Sequence, residues 1–250
     1  QQTKKKVIYD FRQNDLKNGG EGAPLAPIFH KLISEKIKVE PPLCVINLGG
    51  IANITSIESG EISDLGSQDI GPGNCLIDEW IKKNTNKKYD KDGLIAKSGK
   101  KDILILNQAL DNHDNLKKKN ILSYDTKDFD LSFVRGLSLE DGAATLTEFT
   151  GKLLAEATLN YISKLKTKPK KILVCGGGRK NSTLINCLKD NMNIGNLVEN
   201  IDNFGVDGDF IESQAFAYLA IRSFLNLPIS FPKTTGCKHP STGGKLVNNF

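Results

Sequence analysis

Apolar residues in this chain fall into short blocks separated by glycine and polar turns. "VIYDF" at residues 7–11 reads as a short strand, and "KNGGEGAPL" at 17–25 as a glycine-rich loop entering a helix near 26–37. The run "PPLCVINLGGIANITSI" predicts a strand of buried type over 43–48, a Gly-Gly turn and a second strand over 51–57. "EISDLGSQDI" supplies a third strand ending at Asp69, and "GPGN" then turns the chain into a helix running to about Lys83. "DKDGLIAKSGK" is a loop entering a helix, and residues 111–135 read as a polar, irregular excursion with the character of a lid. "SLEDGAATLTEFTGKLLAEATLNYIS" predicts a long amphipathic helix with Ser138 and Asp141 as its N-terminal capping box. "KKILVCGGG" is a strand entering a triple-glycine turn, and "NSTLINCLKD" is the helix that follows. "GDFIESQAFAYLAIRSFL" is a further helix closed by Pro228, and the tail is loop-like with a final strand. Consecutive hairpin-like strands followed by strand–helix units predict an α/β domain with a mixed sheet. A simple doubly wound parallel sheet would alternate from the start.

Three glycine turns follow strands: Gly49-Gly50, Gly71-Pro72-Gly73 and Gly176-Gly177-Gly178. Glycine past a strand lets backbone approach a ligand, and its amides, with those of a following helix, can face phosphate oxygens. A tight turn with no ligand is the commoner meaning of any one of them. Three in one chain favour a nucleotide cleft. None fits the dinucleotide fingerprint or the P-loop. Asp69 sits where such a cleft would open, and a carboxylate there can orient magnesium or accept a proton. The plainer role is a helix cap, for which Asn74 is better placed. Glu212, at the start of a helix, reads equally as a cleft carboxylate and as a first-turn charge or salt-bridge partner. His113 and His239 fall in polar loops and read as exposed, and His30 reads as a satisfied structural histidine.

Composition narrows the classes. The 250 residues are 38% hydrophobic and 25% charged, ordinary values for a globular chain with a sizeable core. Net charge is +5 and 7% of residues are aromatic. The lysines are scattered, and "KKK" at 4–6 and 117–119 reads as solvated surface rather than a nucleic-acid groove. No apolar run reaches membrane-spanning length. The five cysteines form no C-x-x-C pair, and Cys44 and Cys175 lie in buried-strand patterns, which favours reduced thiols in a cytoplasmic protein over zinc ligation.

Taken in order, "YDFRQNDLKNGGEGAPLAPIFH", "INLGGIANIT", "DIGPGNCLIDEWI", "YDKDG", "ATLTEFT", "ILVCGGGRKNSTL" and "GDFIESQAFAYLAIRSFLNLP" resemble the anhydro-N-acetylmuramic acid kinases of the sugar kinase, hsp70 and actin superfamily. The resemblance runs from about residue 7 to 247. It implies an actin-like, ribonuclease-H-like α/β fold with a mixed sheet, one complete lobe and the edges of a second. The complete lobe is expected at 40–228, with 1–39 and 229–250 in the other lobe or the hinge. It implies conversion of anhydro-N-acetylmuramic acid, ATP and water into N-acetylmuramic acid 6-phosphate and ADP in cell-wall recycling, with Mg2+ beside ATP. Asp69 would be the base that activates water at C1, and the sugar O6 released takes the γ-phosphate. Gly49, Gly50 and Asn53 would serve the phosphates, with Gly71 and Gly73 of the next glycine turn also on the nucleotide side. Gly176, Gly177, Gly178 and Asn181 would form the adenosine motif. Arg12, Asp15 and Glu212 would lie on the sugar side. The implied partners are an amino sugar and a nucleotide, with no nucleic acid or membrane and with a homodimer left open.

Two departures qualify the resemblance. Family chains carry roughly a hundred or more residues before the "DFR" segment, a stretch on the scale of another lobe with a G-T-S-x-D-G phosphate motif. Nothing like that motif occurs here, and the chain begins with Gln. The expectation is therefore a fragment or a reduced homologue, a poor kinase by itself. The competing reading is a non-catalytic nucleotide-binding or interaction module. The second departure is "LSYDTKDFDLS", which replaces a "PKSTGREYF"-like segment and bears on lid contacts.

Overall fold

A computed structural model of the chain describes residues 6–116 and 124–247. The strands are β1 (Val7–Tyr9), β2 (Leu43–Leu48), β3 (Ile51–Ile57), β4 (Leu65–Pro72), β5 (Lys171–Cys175), β6 (Val198–Asn200) and β7 (Lys245–Val247). The helices are α1 (Gln13–Lys17), α2 (Pro27–Lys36), α3 (Cys75–Asn84), α4 (Leu94–Ser98), α5 (Ile103–Leu116), α6 (Leu139–Ser163), α7 (Ser182–Asp190), α8 (Ile211–Phe224) and α9 (Pro232–Thr235). A five-stranded sheet has the order β4-β3-β2-β5-β6, and β1 pairs with β7 in a separate two-stranded sheet. Tight connections make β2, β3 and β4 an antiparallel meander. The long crossover through α3–α6 brings β5 back parallel to β2, and β6 is parallel to β5. This is the mixed sheet expected of a ribonuclease-H-like lobe.

Alternation along the strands builds three layers. Cys44, Ile46 and Leu48 of β2, with Ala52, Ile54, Ile172 and Val174, face a core shared with Trp80 and Ile81 of α3, Leu146 and Leu154 of α6, and Leu184 of α7. Leu43 and Val45, with Ile57, Leu65 and Leu173, face Ile28, Phe29 and Ile33 of α2 and Ile211, Ala215 and Leu219 of α8. Strand β2 is covered on both faces, which explains its nearly continuous apolar run. Leu25, Ile28, Phe29, Ile33 and Val39 share this second core with Ile229 and Phe231, so the packing runs across residue 40 and past 228.

The second face turns polar toward the Gly49-Gly50 end. Along β2 it reads Leu43, Val45, Asn47; along β3, Ile57, Thr55, Asn53; along β4, Leu65, Ser67, Asp69. Asn47 stands opposite Asn53, and Asn53 opposite Asp69, so three polar side chains form one row across the sheet.

Several expectations change. Strand β4 runs to Pro72, so Asp69 lies inside it rather than at its end. A register shift between Ala52 and Asn53 and a positive φ of +132° at Gly71 accommodate Gly71 and Pro72 within the pairing. Ser138 caps α6 by accepting from the Asp141 amide at 3.1 Å. The Asp141 carboxylate accepts from the Lys100 amide at 2.7 Å, so a cap stands where a reciprocal box was expected. The expected excursion over 111–135 begins inside α5, and within it Phe129, Leu131 and Val134 are buried. Residues 117–123 of the expected lid, with the lysines at 117–119, lie outside the described residues. So do Lys4 and Lys5, whereas Lys6 sits 5.1 Å from the Phe224 ring centre. His113 is on α5, half-buried against Phe129 and Phe149, rather than in an exposed loop. His239 is exposed as expected. All five cysteines are free, and burial pushes the Cys44 and Cys175 thiols up to about 12. Among the described residues no helix is long and apolar enough to cross a membrane.

Candidate active site

The Gly49-Gly50 turn rests on the head of α3. Gly73 N donates to Gly50 O at 2.9 Å, Asn74 N to Gly49 O at 2.8 Å, and Cys75 N to Gly50 O at 3.2 Å. A side-chain carbon on Gly73 would lie 2.2 Å from Gly49 O. Gly73 is therefore glycine because two turns touch there. The amides of Gly73, Asn74 and Cys75, at the entry to α3, are therefore engaged by the hairpin. Asn74 occupies the position before α3, but its backbone is already helical and its side chain forms no cap hydrogen bond. The capping role expected of Asn74 is absent.

Residues on the two sides of this turn line separate cavities. The first, of about 310 Å³, is lined by Asn47, Asn53 and Asp69 of the polar row, with Arg12, His30, Tyr124 and Glu212. Asp69 is half-buried, and its Oδ2 accepts from the Tyr124 amide at 3.0 Å. Arg12 follows β1, and Glu212 is exposed in the first turn of α8. Asp15 does not line this cavity. Its carboxylate is buried, accepting from Gly22 N and from Thr235 Oγ1, both at 2.7 Å. The loop 17–25 wraps that carboxylate, and Gly20 leaves it room.

The second cavity, of about 390 Å³, is lined by Asn74, Asp78, Tyr89, Asp90, Asp92, Gly177 and Asn181, among others. The three glycines after β5 differ in role. Gly176 has φ +80°, and a side chain there would meet Asn47 Oδ1 at 2.5 Å and Leu48 O at 2.7 Å. A side chain on Gly178 would meet the Leu48 side chain at 2.7 Å. These two let the turn pack on β2. Gly177 has no atom within 4 Å of a side-chain position and faces open space. Asn181 caps α7, its Oδ1 accepting from the Leu184 amide at 3.0 Å. Burial pushes the Asp78 carboxyl up to about 6, with Lys82 opposing and Asp90 reinforcing the shift.

Arg179 holds this turn. It is almost fully buried, donates through Nε to Asp202 at 2.9 Å, and donates through Nη1 to Asp209 at 2.8 Å and Gly176 O at 3.1 Å. The sequence pattern did not mark Asn47, Tyr124, Asp78 or Arg179 as site residues. Asn47 had a legible signal, a polar residue at the apolar period of β2.

Two measurements follow from this geometry. Gly177→Val should leave the melting temperature near the parent's and weaken nucleotide binding about tenfold or more, since one branched side chain enters the cavity and none enters the core. Calorimetry would read it, and unchanged affinity would remove this turn from the nucleotide site. His30 is buried, and burial pushes its imidazole down to about 4 from an ordinary 6.5. Its folded pKa is below its unfolded one, so the unfolded chain takes up the proton first as pH falls. Stability should therefore decline between pH 6.5 and 4, by on the order of 3 kcal/mol. Denaturant unfolding across that window should show a steeper loss for the parent than for His30→Gln. Parallel curves would mean that another group carries the dependence.

The family "AnmK: Anhydro-N-acetylmuramic acid kinase" matches residues 1–249. An anhydro-N-acetylmuramic acid kinase of Pelagibacter ubique is 53% identical over 247 residues, covering 99% of this chain and 66% of that protein. One from Zymomonas mobilis is 46% identical, covering 98% of this chain and 65% of that protein. The chain thus spans just under two thirds of the length of these curated relatives. With a match over nearly every residue and identities this high, the chain belongs to the anhydro-N-acetylmuramic acid kinase family.

Proposed function

We propose that this chain contributes to ATP-dependent phosphorylation of anhydro-N-acetylmuramic acid with coupled hydrolysis of the anhydro bridge. The observation that carries the reading is the pair of cavities on either side of one glycine hairpin. Asp69, Arg12 and Glu212 line one, and Gly177 and Asn181 line the other. In this reading Asp69 takes a proton from water as the water attacks C1. The C1–O6 bond breaks, and the freed O6 attacks the γ-phosphorus of ATP as the bond to the β,γ-bridging oxygen breaks and ADP leaves. Asp69 is suited to that work because its carboxylate is held by the Tyr124 amide and shares a row with two neutral amides. Gly177 and Asn181 would receive the adenosine.

Magnesium, when bound with the nucleotide, would neutralise charge on the transferring phosphoryl group. Asp78 and Asp92, hard oxygen donors in the nucleotide cavity, suit it. We further propose that the β1–β7 ribbon is the edge of a second lobe. A cytoplasmic setting is supported by the free, buried thiols. A homodimer remains part of the reading, with light scattering as its test.

The experiment is turnover of ATP with the anhydro sugar in isotopically labelled water, in the catalytically competent form of the protein. Label in the C1 hydroxyl and none in the phosphate is the expected result. Label in released inorganic phosphate, with no sugar phosphate, would overturn the reading. Nucleotide binding without turnover would support a binding module instead.

A further inference from the structure

Two residues that line the cavity around Asp69 each carry a buried polar atom that the described residues leave without a partner. His30 is 1% exposed and is tied at one ring nitrogen only, with Nδ1 2.8 Å from Thr55 Oγ1. Its Nε2 and the Oδ1 of Asn53 are buried and have no hydrogen-bond partner among the described residues. Both residues line the cavity shared by Asp69, Arg12 and Glu212. Asn53 and Thr55 are two apart on β3, on the same face of the strand, so the His30 anchor and the second orphan atom come from one short stretch.

A buried polar atom without a partner costs about 1–3 kcal/mol. Two in one cavity point to a ligand that supplies both partners. Asn53 Oδ1 can only accept, so that ligand must bring a donor. His30 Nε2 takes either role, depending on whether the Thr55 hydroxyl donates to Nδ1 or accepts from it. A hydroxyl is the small group that meets both demands, since it donates one hydrogen and accepts another. We infer that His30 and Asn53 together bind a hydroxyl of the carbohydrate, making both of them sugar-side residues. This rests on the sugar reading of the cavity. It assigns His30 a binding role beyond a structural one and moves Asn53 away from the phosphates. Burial keeps the imidazole neutral near pH 7, which suits recognition of an uncharged group.

The test uses the unmodified chain first. Proton–nitrogen correlation spectra of the histidine rings would be recorded with and without saturating anhydro-N-acetylmuramic acid. The His30 Nε2 resonance is expected to shift, and the exposed His239 is expected to stay still. Calorimetry would then compare sugar affinity in the parent, His30→Phe, His30→Gln and Asn53→Ala. His30→Phe and Asn53→Ala are expected to weaken binding about tenfold or more, with His30→Gln recovering part of the loss. Sugar binding by the parent with no Nε2 shift and no affinity loss in folded variants would overturn this inference and leave the sugar reading intact. No sugar binding by the parent would overturn both. A variant that melts early but binds the sugar normally while folded would make His30 structural, again against the inference.

Discussion

Asp69→Asn is expected to lower turnover of ATP with the anhydro sugar by about 10²- to 10⁴-fold, the usual loss when general-base assistance is removed. The comparison belongs in the catalytically competent form of the protein. Asparagine keeps the shape and keeps an oxygen to accept from the Tyr124 amide, so the segment beginning at 124 stays anchored. Sugar affinity and melting temperature should therefore remain near the parent's. Within the proposed mechanism only the proton transfer from water is lost, and the defect should appear in kcat rather than KM. The opposite pattern, intact turnover with lowered stability, would make Asp69 an anchor for residues 124–134 and exclude it as the base.

Gly73→Val is expected to destabilise the fold more than any substitution at Gly177. Its added carbon would lie 2.2 Å from Gly49 O and 3.2 Å from Gly50 O, both backbone atoms that no rotamer change can move. Overpacking of this kind costs about 3 kcal/mol or more when the backbone must shift. For a chain of this size that corresponds to a drop in melting temperature of roughly 6–12 °C. Gly177→Ala is the matched control, since nothing stands within 4 Å of its added carbon. Thermal unfolding of the two variants decides the matter. Equal melting temperatures would show that the hairpin can leave α3 freely.

The mixed sheet was legible because local burial patterns carried it. "LCVINL" is apolar on both faces, and the Gly49-Gly50 turn forces the antiparallel return. The errors have a common physical source. "GPG" reads as a strand stop, yet a register shift in the neighbouring strand carries β4 through it to Pro72. Asn74 reads as a cap, yet its backbone is helical, its side chain makes no cap hydrogen bond, and its own amide is held by Gly49 O of the hairpin. Asp15 reads as a ligand contact, yet the glycine loop after it closes over its carboxylate. Each time, residue type identified a hydrogen-bonding capacity, and the tertiary neighbour that had taken it was out of view. His30 shows the reverse. Its burial was readable from the helix face, whereas the missing partner at Nε2 depends on α2 lying over Thr55.

The contact between Gly73 and Gly49 also constrains how such a protein can diversify. Any side chain at 73 displaces the hairpin, and the hairpin's two strands supply Asn47 and Asn53 to one cavity while the head of α3 supplies Asn74 and Asp78 to the other. Position 73 is therefore tied to the hairpin backbone at 49 and 50, and a side chain there demands that the hairpin move. New ligand preferences are more accessible through walls built of independent side chains. Tyr89 and Lys91 offer that freedom on one side, and the exposed Phe216 on the other. Evolution can redecorate either cavity from those positions without first dismantling the turn between them.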